Sequence, residues 1–216
     1  MQLFLGDTEV LRRFSGLAIA ILTVALLRAS ASPLAPLPLP ATVVAPVSDA
    51  SKSATAQDLS GKVVDPFEVA AGKPVVFIFV RTDCPVSNRY APTIQALSQK
   101  YSGTAVMILV YPDKSETPQN IEKHLHDYGY KIAALRDPQH ALVMLGKVEI
   151  TPEAAVFNDK RELIYHGRID NWYKEFGRAR PAPTTHELDE AIKAALSGHT
   201  APTSVGGVGC YISDLQ

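Results

Sequence analysis

The sequence predicts an α/β protein, a central mixed sheet covered by helices on both faces in a three-layer α/β/α arrangement. Two observations carry the prediction. Val75–Val80 and Ala105–Tyr111 are unbroken apolar, β-branched and aromatic runs, the pattern of strands buried on both faces, and each precedes a stretch with helical spacing. Further on, Ala154–Phe157 and Glu162–His166 are joined by the turn-forming Asn158-Asp159-Lys160-Arg161, and a closing helix follows.

The elements are read in order from Ala56. Lys62–Asp65 is a short edge strand stopped by Pro66. Val75–Val80, between Pro74 and Arg81, is the central strand. Ser87–Tyr101 places Tyr90, Ile94, Leu97 and Tyr101 on one helix face, and Gly103 ends it. After the second strand and Pro112, Thr117–Tyr128 is a helix opened by a Thr117 cap and Pro118 in the first turn. Lys131–Leu135 is a short strand and His140–Lys147 a short helix. The last two strands form a hairpin, and Thr185–Ser197 is the final helix, with Thr185 as cap, Leu188, Ile192 and Leu196 on one face, and Gly198 as stop. Parallel β-α units, a hairpin and a last helix give a small mixed sheet covered on both faces, an order of elements that resembles the thioredoxin plan.

The 216 residues are 46% hydrophobic and 20% charged, which suits one ordinary globular domain with additions. A formal net charge of −1 with no basic stripe speaks against a nucleic-acid partner. At the N-terminus, Arg12-Arg13, the uncharged run Phe14–Leu27 and the small residues Ala29-Ser30-Ala31 have the layout of an export signal over 1–31. The run is shorter than the roughly 20 apolar residues of a spanning helix, so the membrane enters only if this segment stays uncleaved. Pro33, Pro36, Pro38, Pro40 and Pro46 make residues 32–55 an extended spacer. The domain is expected over 56–198, followed by a Gly-rich tail over 199–216, in an extracytoplasmic or periplasmic compartment where cysteine pairs persist.

Chemistry centres on Thr82-Asp83-Cys84-Pro85. A strand that ends just before a cysteine, with a helix just after it, puts the sulfur against unpaired amides and the positive end of the helix dipole, which favour thiolate. Pro85 suits the first turn because it has no amide hydrogen to leave unsatisfied. Arg81 and Arg89 push the thiol pKa down and Asp83 pushes it up. An ordinary buried thiol is the competing reading of Cys84.

Cys84-Pro85-Val86-Ser87, with Pro92 eight residues after the cysteine, resembles the thioredoxin-fold C-x-x-C frame with its second thiol replaced by serine. Thr151-Pro152 before a strand resembles the cis-proline that faces the active site in those proteins, and proline is the residue at which cis bonds occur. "TDCPVSNRYAP", "TPEAAVF", "GRIDN" and "GCYI" are together similar to exported bacterial redoxins of the AhpC/TSA-like group, over Asp58 to Ile212. Ser87 departs from the dithiol oxidoreductases, and Thr82, two residues before Cys84, departs from the peroxiredoxin motif, which has three.

The resemblance implies an exported thiol-disulfide oxidoreductase in which Cys84 attacks, Thr151 and Pro152 align substrate, and Ser87 donates to the thiolate. Cys210, in Val205-Gly206-Gly207-Val208-Gly209-Cys210, is then a resolving thiol on a mobile tail. Alternatives remain open: a thiol peroxidase, or a binding module in which the pair is a staple contributing about 4–5 kcal/mol, or unpaired cysteines. The substrates the resemblance implies are protein or small-molecule disulfides or peroxide, with an external thiol reductant. Trp172, in the long loop Asn171–His186, is a candidate substrate contact. No cofactor is implied, and no metal: His124 and His126 lie two apart on a helix and face apart.

Overall fold

The computed structural model describes residues 54–213 and Leu215. The expected export signal and all of the spacer but its last two residues lie outside the described residues.

The chain runs through β1 (Ala56–Gln57), β2 (Val63–Val64), α1 (Pro66–Ala70), β3 (Val75–Phe79), α2 (Pro85–Arg89), α3 (Ala91–Lys100), β4 (Val106–Tyr111), α4 (Pro118–Asp127) and β5 (Ala133–Arg136). It continues with α5 (Ala141–Gly146), β6 (Ile150–Thr151), β7 (Glu153–Phe157), β8 (Leu163–Gly167), β9 (Tyr173–Glu175), β10 (Arg178–Ala179), α6 (Glu187–Ser197) and β11 (Cys210–Tyr211). The main sheet has the order β2-β1-β5-β4-β3-β7-β8. Its centre is parallel, from β3 to β4 to β5, and β7 and β8 run antiparallel. This is the α/β/α architecture the sequence predicts.

The continuous apolar run of β3 is explained by two covered faces. Val76 and Ile78 point into a core built with Ile94, Ile121, Leu188 and Ile192 from α3, α4 and α6. Val75, Phe77 and Phe79 point into a second core with Phe67 of α1 and Leu142 and Val143 of α5. Successive side chains of a strand alternate sides, so an apolar layer on each face requires every position to be apolar. Edge-to-face packing of Phe67, Phe77 and Phe157, with centroids 5.2–5.6 Å apart, closes the second core.

Four details depart from expectation. The helix expected over Ser87–Tyr101 divides at Tyr90, because Pro92 has no amide to give to the Asn88 carbonyl. Thr185 does not cap α6: its hydroxyl donates to Glu187 Oε1 at 2.7 Å, its amide is held by Asn171 Oδ1, and the helix starts at Glu187. Leu196 is left exposed, while Leu188, Ala191 and Ile192 form the buried face. The stretch Asn171–His186 contains a hairpin, β9–β10, that no sequence pattern announced.

The tail is a fifth departure. It does not hang free: Arg168 N donates to Val205 O at 2.8 Å, and β11 pairs antiparallel with β6 in the register Cys210↔Thr151 and Tyr211↔Ile150. Ile212 N donates to Glu149 O at 2.9 Å, and the Ile212 side chain is buried in the second core.

Candidate functional site

Cys84 lies just beyond the C-terminal end of the interior strand β3, and it becomes the N-cap of α2 with extended backbone, φ −82° and ψ 112°. Pro85 fills the first helical position, where a missing amide costs nothing. The Cys84 sulfur accepts from Ser87 N at 3.5 Å, and as a thiol it donates to Thr151 O at 3.3 Å. It is fully buried.

The loop before the cysteine is fixed by buried polar groups. Thr82 N and Oγ1 both donate to Glu116 Oε1, at 2.9 and 2.7 Å, and Asn88 Nδ2 donates to Thr82 O at 3.0 Å. Asn88 Oδ1 lies 2.8 Å from His124 Nε2, whose Nδ1 lies 2.8 Å from Tyr111 OH. His124 and Glu116 are buried, so these bonds satisfy groups that water does not reach.

Across from Cys84, the Thr151–Pro152 peptide is cis, and Thr151 Oγ1 donates to Cys210 O at 3.3 Å. With Cys210 opposite Thr151 in the strand pair, the two cysteine side chains meet and share a hydrogen bond as free thiols. Burial resists ionisation of Cys84, but the Cys210 thiol, the nearby Ser87 hydroxyl and the amides of Ser87 and Val86 together outweigh it, and the pKa is lowered. For Cys210, burial, the bond it gives to Cys84 and the Cys84 charge push the pKa well up. The two shifts are thus opposite in sign, down for Cys84 and up for Cys210.

Glycines bring the tail this close. A Cβ on Gly209 would lie 1.9 Å from Thr151 O, and one on Gly207 2.9 Å from Glu153 Cγ. Their role is close backbone approach, which corrects the expectation of a mobile arm. Gly207 N donates to Glu153 Oε1 at 2.5 Å. Glu153 is buried at the start of an otherwise apolar strand, and burial raises its pKa against the pull of amide hydrogen bonds from Gly207, Glu149 and Ile150.

Of the residues singled out in the sequence, Cys84, Pro85, Ser87, Thr151, Pro152 and Cys210 are brought together. The Ser87 hydroxyl is buried and meets no full hydrogen-bond geometry, though it lies near enough to the sulfur to lower its pKa. Arg81 pairs with Asp83 and Asp113, both at 3.0 Å, and lowers the pKa of Cys210. Trp172 is built into the wall of the β9–β10 hairpin: its Nε1 donates to Arg180 O at 2.9 Å, and its ring packs against Tyr90 and Tyr173 with the Arg89 guanidinium 5.4 Å from its centroid. Arg89 is therefore held over Trp172. Glu116, Asn88, His124 and Glu153 were not singled out as site residues in the sequence. Only Glu153 carried a signal, an acid opening a buried strand. No group of three or more His, Cys, Asp or Glu among the described residues is placed to hold a metal ion.

Residues 45–175 match the family model described as Redoxin. No curated protein matches the chain. Among solved structures, an uncharacterised conserved protein from Geobacillus kaustophilus is 20% identical with a TM-score of 0.63, covering 74% of this chain and 87% of that one. A hypothetical protein from Sinorhizobium meliloti is 20% identical with a TM-score of 0.62, covering 74% and 90%. A secreted disulfide oxidoreductase of Mycobacterium tuberculosis is 16% identical with a TM-score of 0.48, covering 69% and 98%.

Proposed function

The chain belongs to the redoxin family, with a thioredoxin-like fold, and from that premise we propose that it is a thiol-disulfide oxidoreductase in which Cys84 attacks and Cys210 resolves. Family and fold support a redox role on disulfides in general. The observation that carries the finer reading is the contact of two free thiols with opposite pKa shifts, one lowered and one raised.

In the forward direction the Cys84 thiolate attacks one sulfur of a substrate disulfide, forming the mixed disulfide and expelling a thiolate that takes up a proton. The Cys84 charge and its acceptance of the Cys210 hydrogen bond then disappear, and these are two of the causes that hold the Cys210 pKa up. Cys210 therefore becomes more acidic at the step that needs it, with Arg81 acting in the same direction. Its thiolate attacks Cys84 Sγ, the Cys84–Cys210 disulfide forms, and the second substrate thiol leaves. Two electrons pass to the substrate, and an external thiol reductant restores the pair. Thr151, whose carbonyl and hydroxyl already face the two cysteines, and Pro152 align the incoming chain.

Disulfide is favoured over peroxide as substrate because the Thr82 hydroxyl donates its proton to Glu116 and is not offered to a peroxide oxygen. The Arg12–Leu27 pattern followed by Ala29-Ser30-Ala31 supports action outside the cytoplasm, and no helix among the described residues is long and apolar enough to cross a membrane.

Turnover of a small aromatic disulfide with dithiothreitol tests the assignment. Cys84→Ser is expected to lower it at least a hundredfold with unchanged circular dichroism, and Cys210→Ala to accumulate a mixed disulfide on Cys84 detectable by mass. Full turnover in Cys84→Ser overturns the reading, and wild-type inertness to disulfide and peroxide alike points to a binding module.

A further inference from the structure

The two thiols meet because the tail is laid along β6, held upstream where Arg168 N binds Val205 O and at two points that flank Cys210. At its far end the Ile212 side chain is buried. At its near end, three residues before Cys210, the backbone of Gly207 reaches the Glu153 carboxylate. Between these anchors lies the strand pair that sets Cys210 opposite Thr151.

Glu153 stands two residues after Thr151, is 4% exposed, and its hydrogen-bond partners are backbone amides from two segments. Gly207 N on the tail binds Oε1 at 2.5 Å, and Glu149 N on the approach to β6 binds Oε2 at 3.3 Å. A buried carboxylate is tolerated only where such donors surround it. One side chain thus ties together the two strands whose pairing brings sulfur to sulfur. Gly207 is matched to it, since a Cβ there would meet Glu153 Cγ at 2.9 Å and Pro152 O at 3.0 Å.

We propose that Glu153 is a positioning residue that latches the tail through the Gly207 amide and thereby sets the effective concentration of Cys210 at Cys84. The proposal rests on the Cys84–Cys210 reading above. Without the latch the tail keeps its anchors at Val205, bound by Arg168 N, and at the buried Ile212, but the segment between them that carries Cys210 loosens and its effective concentration at Cys84 falls. The carboxylate touches neither sulfur and acts through the tail alone.

The test equilibrates the full-length protein with glutathione buffers of graded ratio, acid-traps it and measures the Cys84–Cys210 disulfide. The reaction is one glutathione disulfide plus two protein thiols giving one protein disulfide plus two glutathiones, so the equilibrium constant is the effective concentration. Glu153→Gln, which places an amide NH₂ among amide donors, is expected to lower it tenfold or more. Gly207→Ala, which blocks the same contact from the tail side and leaves the buried carboxylate in place, is expected to do the same and gives the answer if Glu153→Gln fails to fold. Kinetically, the resolution step should slow at least tenfold relative to formation of the Cys84–glutathione mixed disulfide, a split that general loosening of the domain would not produce. Equilibrium constants within twofold of wild type, or both steps slowing together, overturn the latch. Absence of any Cys84–Cys210 disulfide in wild type under the most oxidising buffer overturns the proposed function itself.

Discussion

Ile212→Ala tests whether the tail is what covers the nucleophile. Ile212 is 6% exposed and packs into the second core, two residues beyond a cysteine that touches the fully buried Cys84. Truncating a buried isoleucine to alanine costs about 2–5 kcal/mol where neighbours cannot close the gap. At a strand near the end of the described chain, with a path to relax, the lower figure applies. About 2 kcal/mol corresponds to roughly a 30-fold rise in the undocked population, at about 1.4 kcal/mol per factor of ten. The β11–β6 pairing involves no strand of the main sheet, so the loss falls on tail docking. The assay is native-state alkylation of Cys84 by N-ethylmaleimide, followed by mass. When closing is fast relative to reaction, the rate is proportional to the open fraction. The expected result is a rise of roughly 30-fold at Cys84, with a urea midpoint for the domain little changed. A Cys84 rate within twofold of wild type in a folded variant would refute the reasoning, because the sulfur would then be shielded by something other than the tail.

Two further outcomes follow from the charges. In Cys210→Ala the hydrogen bond that favours the Cys84 thiolate is gone, so the midpoint of its alkylation-versus-pH profile moves upward; wild-type reactivity persists to lower pH and is lost only as pH falls through the lowered pKa. An unmoved midpoint would remove Cys210 from the list of causes. Asp137 accepts the amides of Ala141, Leu142 and Val143, each at 2.9 Å, so Asp137→Ala should lower stability in urea by about 2–4 kcal/mol. Burial holds the Asp137 pKa up to about 6. The stability linked to this shift is therefore full below the unfolded carboxylate value near 4 and is lost as pH rises through about 6, a slope that the variant should lack.

The sheet was legible because its central strands carry the same signal at every position: in Val75–Phe79 both faces are buried, and no polar residue interrupts. Cys84, Pro152 and Thr117 were legible because each acts on its own neighbours in the chain, at a cap or at a peptide bond. The tail misled for the opposite reason. Gly207 and Gly209 are glycine on account of Glu153 and Thr151, 54 and 58 residues away in the chain, and composition alone cannot separate a glycine that permits motion from one that permits contact. Trp172 was read as a candidate substrate contact from its place in a long loop; that loop folds into a hairpin in which its Nε1 and ring meet Arg180, Tyr90 and Tyr173. Glu116 and His124 were invisible as site residues since each reaches the Cys84 loop across the fold, over 34 and 36 residues.

The chain of bonds from Tyr111 to Thr82 has a direction. Asn88 gives its amide hydrogens to the Thr82 carbonyl, which leaves its oxygen as an acceptor, so His124 must present Nε2–H to it and keep Nδ1 as a lone pair for the Tyr111 hydroxyl. Each group donates toward the nucleophile's loop, and none can be reversed alone. A proton added to His124 would turn the Tyr111 hydroxyl from donor to acceptor and take from its hydrogen the nitrogen it now meets, in accord with the lowered pKa that burial imposes on this ring. The loop ahead of Cys84 is thereby held by a row of groups with a single permitted proton arrangement, and the sulfur inherits that uniqueness of position without any of them touching it.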